Sequence, residues 1–244
     1  HRAVLRSALN TAMKHGLVGR NVAALADPPH IPEREHEAIT PAKARVIFQA
    51  VKGDRLEAFV TVALACGLRE GEALGARWTD VDLDVGALSI QRTLQRIKGE
   101  WCFLEPKTAR SRRTISLPGP VVQALREHRT RQIAERLLMG PAWEGERWGQ
   151  LVFTNEVGGP LDKGTVYRHF QRLLARAGLP RMPVHHLRHG AASLMAALGV
   201  PPRVAMEVLG HSQISTTMNR YTHVAPEWER EAAGVMAKGL WGAD

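Results

Sequence analysis

The run AFVTVALACGL at residues 58–68 does most to narrow what this chain can become. It is apolar on every side, so a helix built from it must be surrounded by protein rather than laid on a surface. It is too short to cross a bilayer, and Thr61 and Gly67 interrupt it. The expectation is a helix over 54–66, central to the core and ended by Gly67.

Around that helix the spacing is mostly helical. Val4, Leu5, Leu9, Ala12 and Met13 recur on one face, and Gly16 can close the helix. The stretch ADPPHIPEREHEAITP is rich in proline and charge and reads as a linker. Thr40-Pro41 supplies an N-cap followed by proline at the first helical position. A short helix is expected over 70–77. From Asp82 the period changes to two, and ALSIQRT, WCFLEPK and RRTISLP read as strands of one small antiparallel sheet. Helical spacing resumes over 120–138 and again through Val166, Phe170, Leu173 and Leu174. It continues at 186–198, 202–209, 215–221 and 226–238. The fold class is therefore mainly α with a small antiparallel β-sheet, an α+β arrangement. Residues 1–30 read as the end of a helical domain, 31–39 as a linker and 40–244 as a second domain.

The 33 Lys+Arg against 24 Asp+Glu leave a net charge of +9, which favours a polyanionic partner. Cys66 and Cys102 lack close-spaced partners, which excludes a cysteine zinc site or a disulfide framework and fits a reducing compartment. With no signal peptide in view, a cytoplasmic location and no membrane partner are expected.

Four polar clusters could carry chemistry. In GLREGEALGARWTDVDL, Arg69 follows the glycine that ends the apolar helix, and Glu72 is spaced to brace the next turn. Taken alone, such an arginine is more often a cap on a solvated face. In EPKTARSRRTISLP, Lys107, Arg110, Arg112 and Arg113 surround a turn between strands, where basic side chains either reach phosphates or simply solvate a hairpin. In VHHLRHG, His185 and His189 share a helical face at metal-pair spacing, but no carboxylate accompanies them. His185 and Arg188 can equally present an imidazole and a guanidinium to one anion. The fourth cluster, LGHSQISTTMNRYTH, places Tyr221, one of two tyrosines in the chain, in a polar setting after His211. A phenol is a poor nucleophile at its free pKa of about 10. Against a phosphodiester it needs cations on the non-bridging oxygens and a base for its proton.

Taken in order, these clusters resemble the tyrosine recombinase family of the phage-integrase type, over nearly the whole chain. The resemblance rests on G-L-R-x-G-E at 67–72, W-x-D-V-D at 78–82 and P-K-T-x-x-S-R-R-T-I at 106–115, then H-x-L-R-H at 185–189, L-G-H-S at 209–212 and R-Y-T-H at 220–223. It implies that Arg69 and Arg188 clamp the scissile phosphate and Lys107 protonates the leaving 5′ oxygen. It further implies that His185 assists proton transfer, His211 bonds a non-bridging oxygen and Tyr221 attacks phosphorus. Arg110, Arg112 and Arg113 would contact DNA, and Glu72 would support the site. His186 stands where the family often has aspartate, and Gly190 where a small hydroxylated residue is common.

The resemblance implies the tyrosine recombinase catalytic-domain fold, preceded by the end of a core-binding domain. The implied partner is double-stranded DNA at core-type sites, bound by a homotetramer that is monomeric when free. No metal and no cofactor are implied. The tail at 226–241 is expected as a helix that docks on its own domain or on a neighbouring protomer. The competing readings are a type IB topoisomerase-like enzyme, a DNA-binding protein of the same fold without strand transfer and, more remotely, a histidine-rich metal hydrolase.

Overall fold

The computed structural model describes residues 2–27, 39–105 and 112–210. The chain forms two compact units, His1–Glu37 and Ala38–Asp244. The first contains α1 (Arg2–Lys14) and α2 (Val22–Leu25). Asn21 ties them together. Its side-chain oxygen accepts Ala24 N–H at 3.2 Å, while its amide donates to Arg6 O at 2.8 Å and Asn10 Oδ1 at 2.7 Å. The apolar positions of α1 are not buried within this unit, and Val4 and Leu5 lie open.

The second unit begins with α3 (Pro41–Val51), capped by Thr40 Oγ1 accepting Lys43 N–H at 3.2 Å. Next comes α4 (Glu57–Cys66), the apolar helix anticipated from the sequence. It starts three residues later than its apolar spacing suggests, because Asp54 Oδ1 takes the Leu56 N–H at 2.9 Å and holds the preceding residues in a turn. Seven of its side chains are buried, from Ala58 to Cys66. Two helices enclose it, α6 (Gly119–Met139) and α8 (His185–Ala197). Each large side chain so buried contributes about 1.5–3 kcal/mol. Helix α7 (Lys163–Arg176) buries Val166, Phe170, Leu173 and Leu174, as their spacing requires. Helix α9 (Pro202–Leu209) follows α8. The helices expected at 215–221 and 226–238 lie outside the described residues. Among the described residues no helix is long and apolar enough to cross a membrane.

The expected single sheet is two sheets. Strands β1 (Val81–Asp82), β2 (Ala87–Ile90) and β5 (Arg113–Ser116) form an antiparallel sheet in the order β1-β2-β5, with Leu88 opposite Ile115. Strands β3 (Thr93–Ile97) and β4 (Glu100–Leu104) form a separate hairpin. The break falls between Ile90 and Thr93, where Arg92 pairs with Asp80 of the 3-10 turn before β1. The hairpin is drawn instead onto α5 (Glu70–Leu74), whose following Gly75 lets the backbone approach. A Cβ at Gly75 would stand 2.9 Å from Leu94 N. Helix α5 stops at Leu74 rather than at 77 because the next residues pair elsewhere. Val152 N–H bonds Ala76 O at 2.9 Å and Trp78 N–H bonds Gln150 O at 3.0 Å.

Candidate active site

Helix α4 ends in Gly67 at φ +65°, a conformation that costs a residue with a Cβ dearly. A Cβ there would also lie 2.3 Å from Leu209 Cδ2 and 3.2 Å from Ala191 Cβ, so α8 and α9 close directly over the turn. A helix end leaves carbonyls without intrahelical partners. Arg188, on α8, donates from Nη1 to the Gly67 carbonyl at 2.6 Å. Gly210, at φ +64°, closes α9 in the same way. Its carbonyl accepts Arg69 Nη2 at 3.0 Å. Each guanidinium therefore sits at the carbonyl end of a helix, where partial negative charge favours it. Two helix ends hold two arginines toward one place.

Glu72 links Arg69 to a third arginine, Arg113. Its carboxylate accepts Arg69 N–H at 3.0 Å and Arg69 Nη1 at 2.6 Å. It also accepts Arg113 Nη2 at 3.1 Å and Nη1 at 3.3 Å. Only 1% of the Glu72 side chain is exposed. Burial pushes its carboxyl up, but the hydrogen bond and charge of Arg113, with the bonds from Arg69, outweigh this and hold it below the usual carboxylate range. Arg113, expected to contact DNA, is held by these bonds beside Glu72. Its side chain is 8% exposed and turned inward, with Nε on Val208 O at 2.7 Å. The alternation of β5 carries the signal for this, since Arg113 and the buried Ile115 point to the same face.

Two guanidiniums thus share one carboxylate, and the third, Arg188, feels its charge without bonding it. The excess positive charge falls on Arg188, whose pKa is drawn down to about 9 by burial and by the charges of Arg69 and Arg113, with Glu72 opposing. It remains protonated at neutral pH. Its Nη2 is buried and has no hydrogen-bond partner among the described residues. Leaving such a donor unpaired costs about 1–3 kcal/mol. An anion's oxygen would satisfy it. Arg69, 41% exposed at the side chain, stands open to the same anion.

His185, His186 and His189 meet edge to face on the first turns of α8, with ring centroids 4.8–5.7 Å apart. Gly190 follows directly, and a Cβ on it would stand 2.4 Å from Ile39 Cδ1. Ile39, at the end of the stretch read as a linker, is 4% exposed and packed in the core of the second unit. The glycine makes room for it. Arg112 pairs with Glu105 at 2.9 Å, both exposed. Lys107, Arg110, His211 and Tyr221 lie outside the described residues.

The comparisons with known proteins fit this geometry. The model of the phage integrase family matches residues 37–227. A XerC-like tyrosine recombinase from Caldanaerobacter subterraneus is 35% identical over 228 residues, which are 90% of this chain and 58% of that protein. An integrase from Streptomyces ambofaciens is 33% identical over 225 residues, 89% of this chain and 57% of that protein. The chain thus spans less than two thirds of the length of either. Among solved structures, the Tn1549 transposon integrase in complex with a circular intermediate DNA superposes with a TM-score of 0.74 at 23% identity, over 94% of this chain and 77% of that one. A lambda integrase dimer bound to a core site superposes with a TM-score of 0.57 at 20% identity, over 90% of this chain and 57% of that one. At those identities the superpositions establish a shared fold.

Proposed function

Because the chain belongs to the phage integrase family, we propose that it is a site-specific DNA recombinase that breaks and rejoins strands through a tyrosine. The observation that carries this reading is the unpaired, buried Nη2 of Arg188 beside the open guanidinium of Arg69. A phosphodiester carries charged non-bridging oxygens of the kind such donors bind. Donors held in place before the reaction lower the barrier because they need not reorganise as charge develops.

In this mechanism the Tyr221 oxygen attacks phosphorus, and the bond from phosphorus to the 5′ oxygen breaks. A 3′-phosphotyrosyl bond and a free 5′ hydroxyl result. Lys107 gives its proton to the leaving oxygen, His185 assists the transfer of the tyrosine proton, and His211 bonds a non-bridging oxygen. Attack by a 5′ hydroxyl from another strand reverses the step and releases the tyrosine. The covalent link retains the phosphodiester energy, so no nucleotide is consumed. Glu72 supports the clamp, and Arg110, Arg112 and Arg113 contact the DNA. The substrate is double-stranded DNA at core-type sites, worked on in the host cytoplasm or nucleoid by four protomers. Residues 1–30 belong to a helical core-binding domain. Integration or excision of a phage or mobile element is the biological setting.

The test is covalent trapping. The chain is incubated with pooled nicked duplexes of random central sequence, and products are resolved under denaturing conditions beside Tyr221→Phe. A protein–DNA adduct that requires Tyr221 supports the reading. Clear binding to duplex without any adduct turns it into a DNA-binding protein of the same fold.

A further inference from the structure

We infer that Ile39 is a positioning residue for the proposed reaction: seated on Gly190, it sets the pose of α8 and with it the reach of Arg188 and His185. The step it serves rests on the proposed function; the seat itself does not. Helix α8 begins at Val184 with no side-chain cap among the described residues. Its first turn is closed by backbone alone, with His186 N–H bonding Pro183 O at 2.9 Å and Leu187 N–H bonding Val184 O at 3.0 Å. A helix start of that kind takes its position from packing rather than from a cap.

Just past that turn α8 is gripped on two neighbouring faces. On the first, Ala191 closes on the turn at Gly67, whose carbonyl accepts Arg188 Nη1 at 2.6 Å. On the second stands Ile39. The three atoms nearest to a Cβ on Gly190 would all belong to Ile39, with Cγ1 at 2.9 Å and Cβ at 3.0 Å. The isoleucine thus lies against the α8 backbone, at a position two residues after Arg188. It has little freedom to give way. Ile39 directly precedes Thr40, the cap of α3, and is 4% exposed. Ala44, at the fourth helical position, is buried in the same cluster. That is the spacing of a hydrophobic staple, which fixes the angle at which a chain enters a helix. Ile39 therefore acts as a wedge. Shortened, it leaves α8 room to turn away from Gly67, and the bond that aims the Arg188 guanidinium loosens. Misplacing a reacting group by about 1 Å can cost about 100-fold in rate.

The experiment measures the single-turnover rate of Tyr221 adduct formation at saturating nicked duplex, with duplex affinity and the urea midpoint read on the same proteins. These are the wild-type chain, Ile39→Ala, Ile39→Val and Ile47→Ala. The last makes the same truncation at a fully buried isoleucine of α3, a helix packed on α4 and α7. Ile39→Ala should slow the adduct by about 10- to 100-fold at unchanged affinity, and Ile39→Val by less. Ile47→Ala should keep the wild-type rate despite an earlier midpoint. Gly190→Ala should slow the adduct as well, although alanine favours a helix over glycine. Adding Ile39→Val to it should recover part of the rate, because the Cδ1 that meets the new methyl is gone. Equal rates in Ile39→Ala and Ile47→Ala overturn the inference, since loss of core packing alone would then account for both. So does a double variant that recovers nothing. Should Ile39→Ala not fold, Ile39→Val and the double variant make the same comparison. Inorganic phosphate separates this from the proposed function. The phosphorus NMR line broadening that Arg188→Met removes reports phosphate on the clamp, and Ile39→Ala should diminish it where Ile47→Ala does not. An Ile39-dependent phosphate signal with no wild-type adduct would uphold the seat and defeat the tyrosine chemistry. An adduct formed at one rate in every variant would do the reverse.

Discussion

Glu72 and Arg188 carry opposite consequences for a protein that must bind an anion. Glu72 is the only carboxylate placed among Arg69, Arg113 and Arg188 in the described residues, and it is almost wholly buried. Removing one partner of a buried ion pair leaves the other uncompensated, at about 3–5 kcal/mol. Arg188 is the reverse case, a buried cation with an unmet donor. Glu72→Gln should therefore lower stability by about 3 kcal/mol, read as an earlier urea midpoint at unchanged slope. Arg188→Met should leave the midpoint unchanged or later, yet reduce adduct formation by about 100-fold or more. An Arg188→Met protein as unstable as Glu72→Gln would make Arg188 a structural brace instead.

At the level of the element, the turn after α4 matters most. It ends the core helix, supplies the carbonyl that holds Arg188, and starts the residues that lead to Arg69. Gly67→Ala combines a left-handed backbone with a collision against Leu209 from α9. The two costs together should reach about 2–4 kcal/mol in a denaturation midpoint. Gly53 supplies the control. Its φ is +74° but nothing lies within 4 Å of an added Cβ, so Gly53→Ala should cost only about 1 kcal/mol. Equal losses at the two glycines would mean that the closure of α8 and α9 over the turn contributes nothing.

Across the whole second unit, stability should fall with acid in two stages. His128 lies in the core, with Nε2 donating to Val152 O at 2.7 Å and Nδ1 buried without a partner. Burial holds its pKa below the ordinary 6.5, with Arg131 and Arg55 adding to the effect and the Val152 bond and Glu135 opposing it. A depressed histidine pKa means that below about pH 6.5 the unfolded chain takes up a proton that the folded one refuses. Stability present at neutral pH is thus lost from that point downward, until the folded value is passed. Glu72 adds a second loss below its ordinary 4.5, as its depressed carboxyl is protonated. Thermal melting followed by circular dichroism should show both stages, and His128→Gln should remove the upper one. A melting temperature that stays flat between pH 7 and 5 in the wild type would contradict this placement of His128.

What the sequence determined by itself follows from local rules. The uniformly apolar run at 58–68 had to be buried, the spacing of Val166, Phe170, Leu173 and Leu174 had to make a helix face, and Thr40-Pro41 had to start one. The order of polar motifs was enough to indicate the family. Tertiary structure decided what those rules cannot reach. Whether β3 continues one sheet or leaves for α5 depends on contacts between segments distant in sequence, Leu94 with Gly75 and Arg92 with Asp80. Which arginine reaches outward was settled the same way. Arg69 and Arg113 are alike in the sequence, but Glu72, Val208 O and the fold around them bury one and leave the other open, because a guanidinium's environment is made by the elements that close around it.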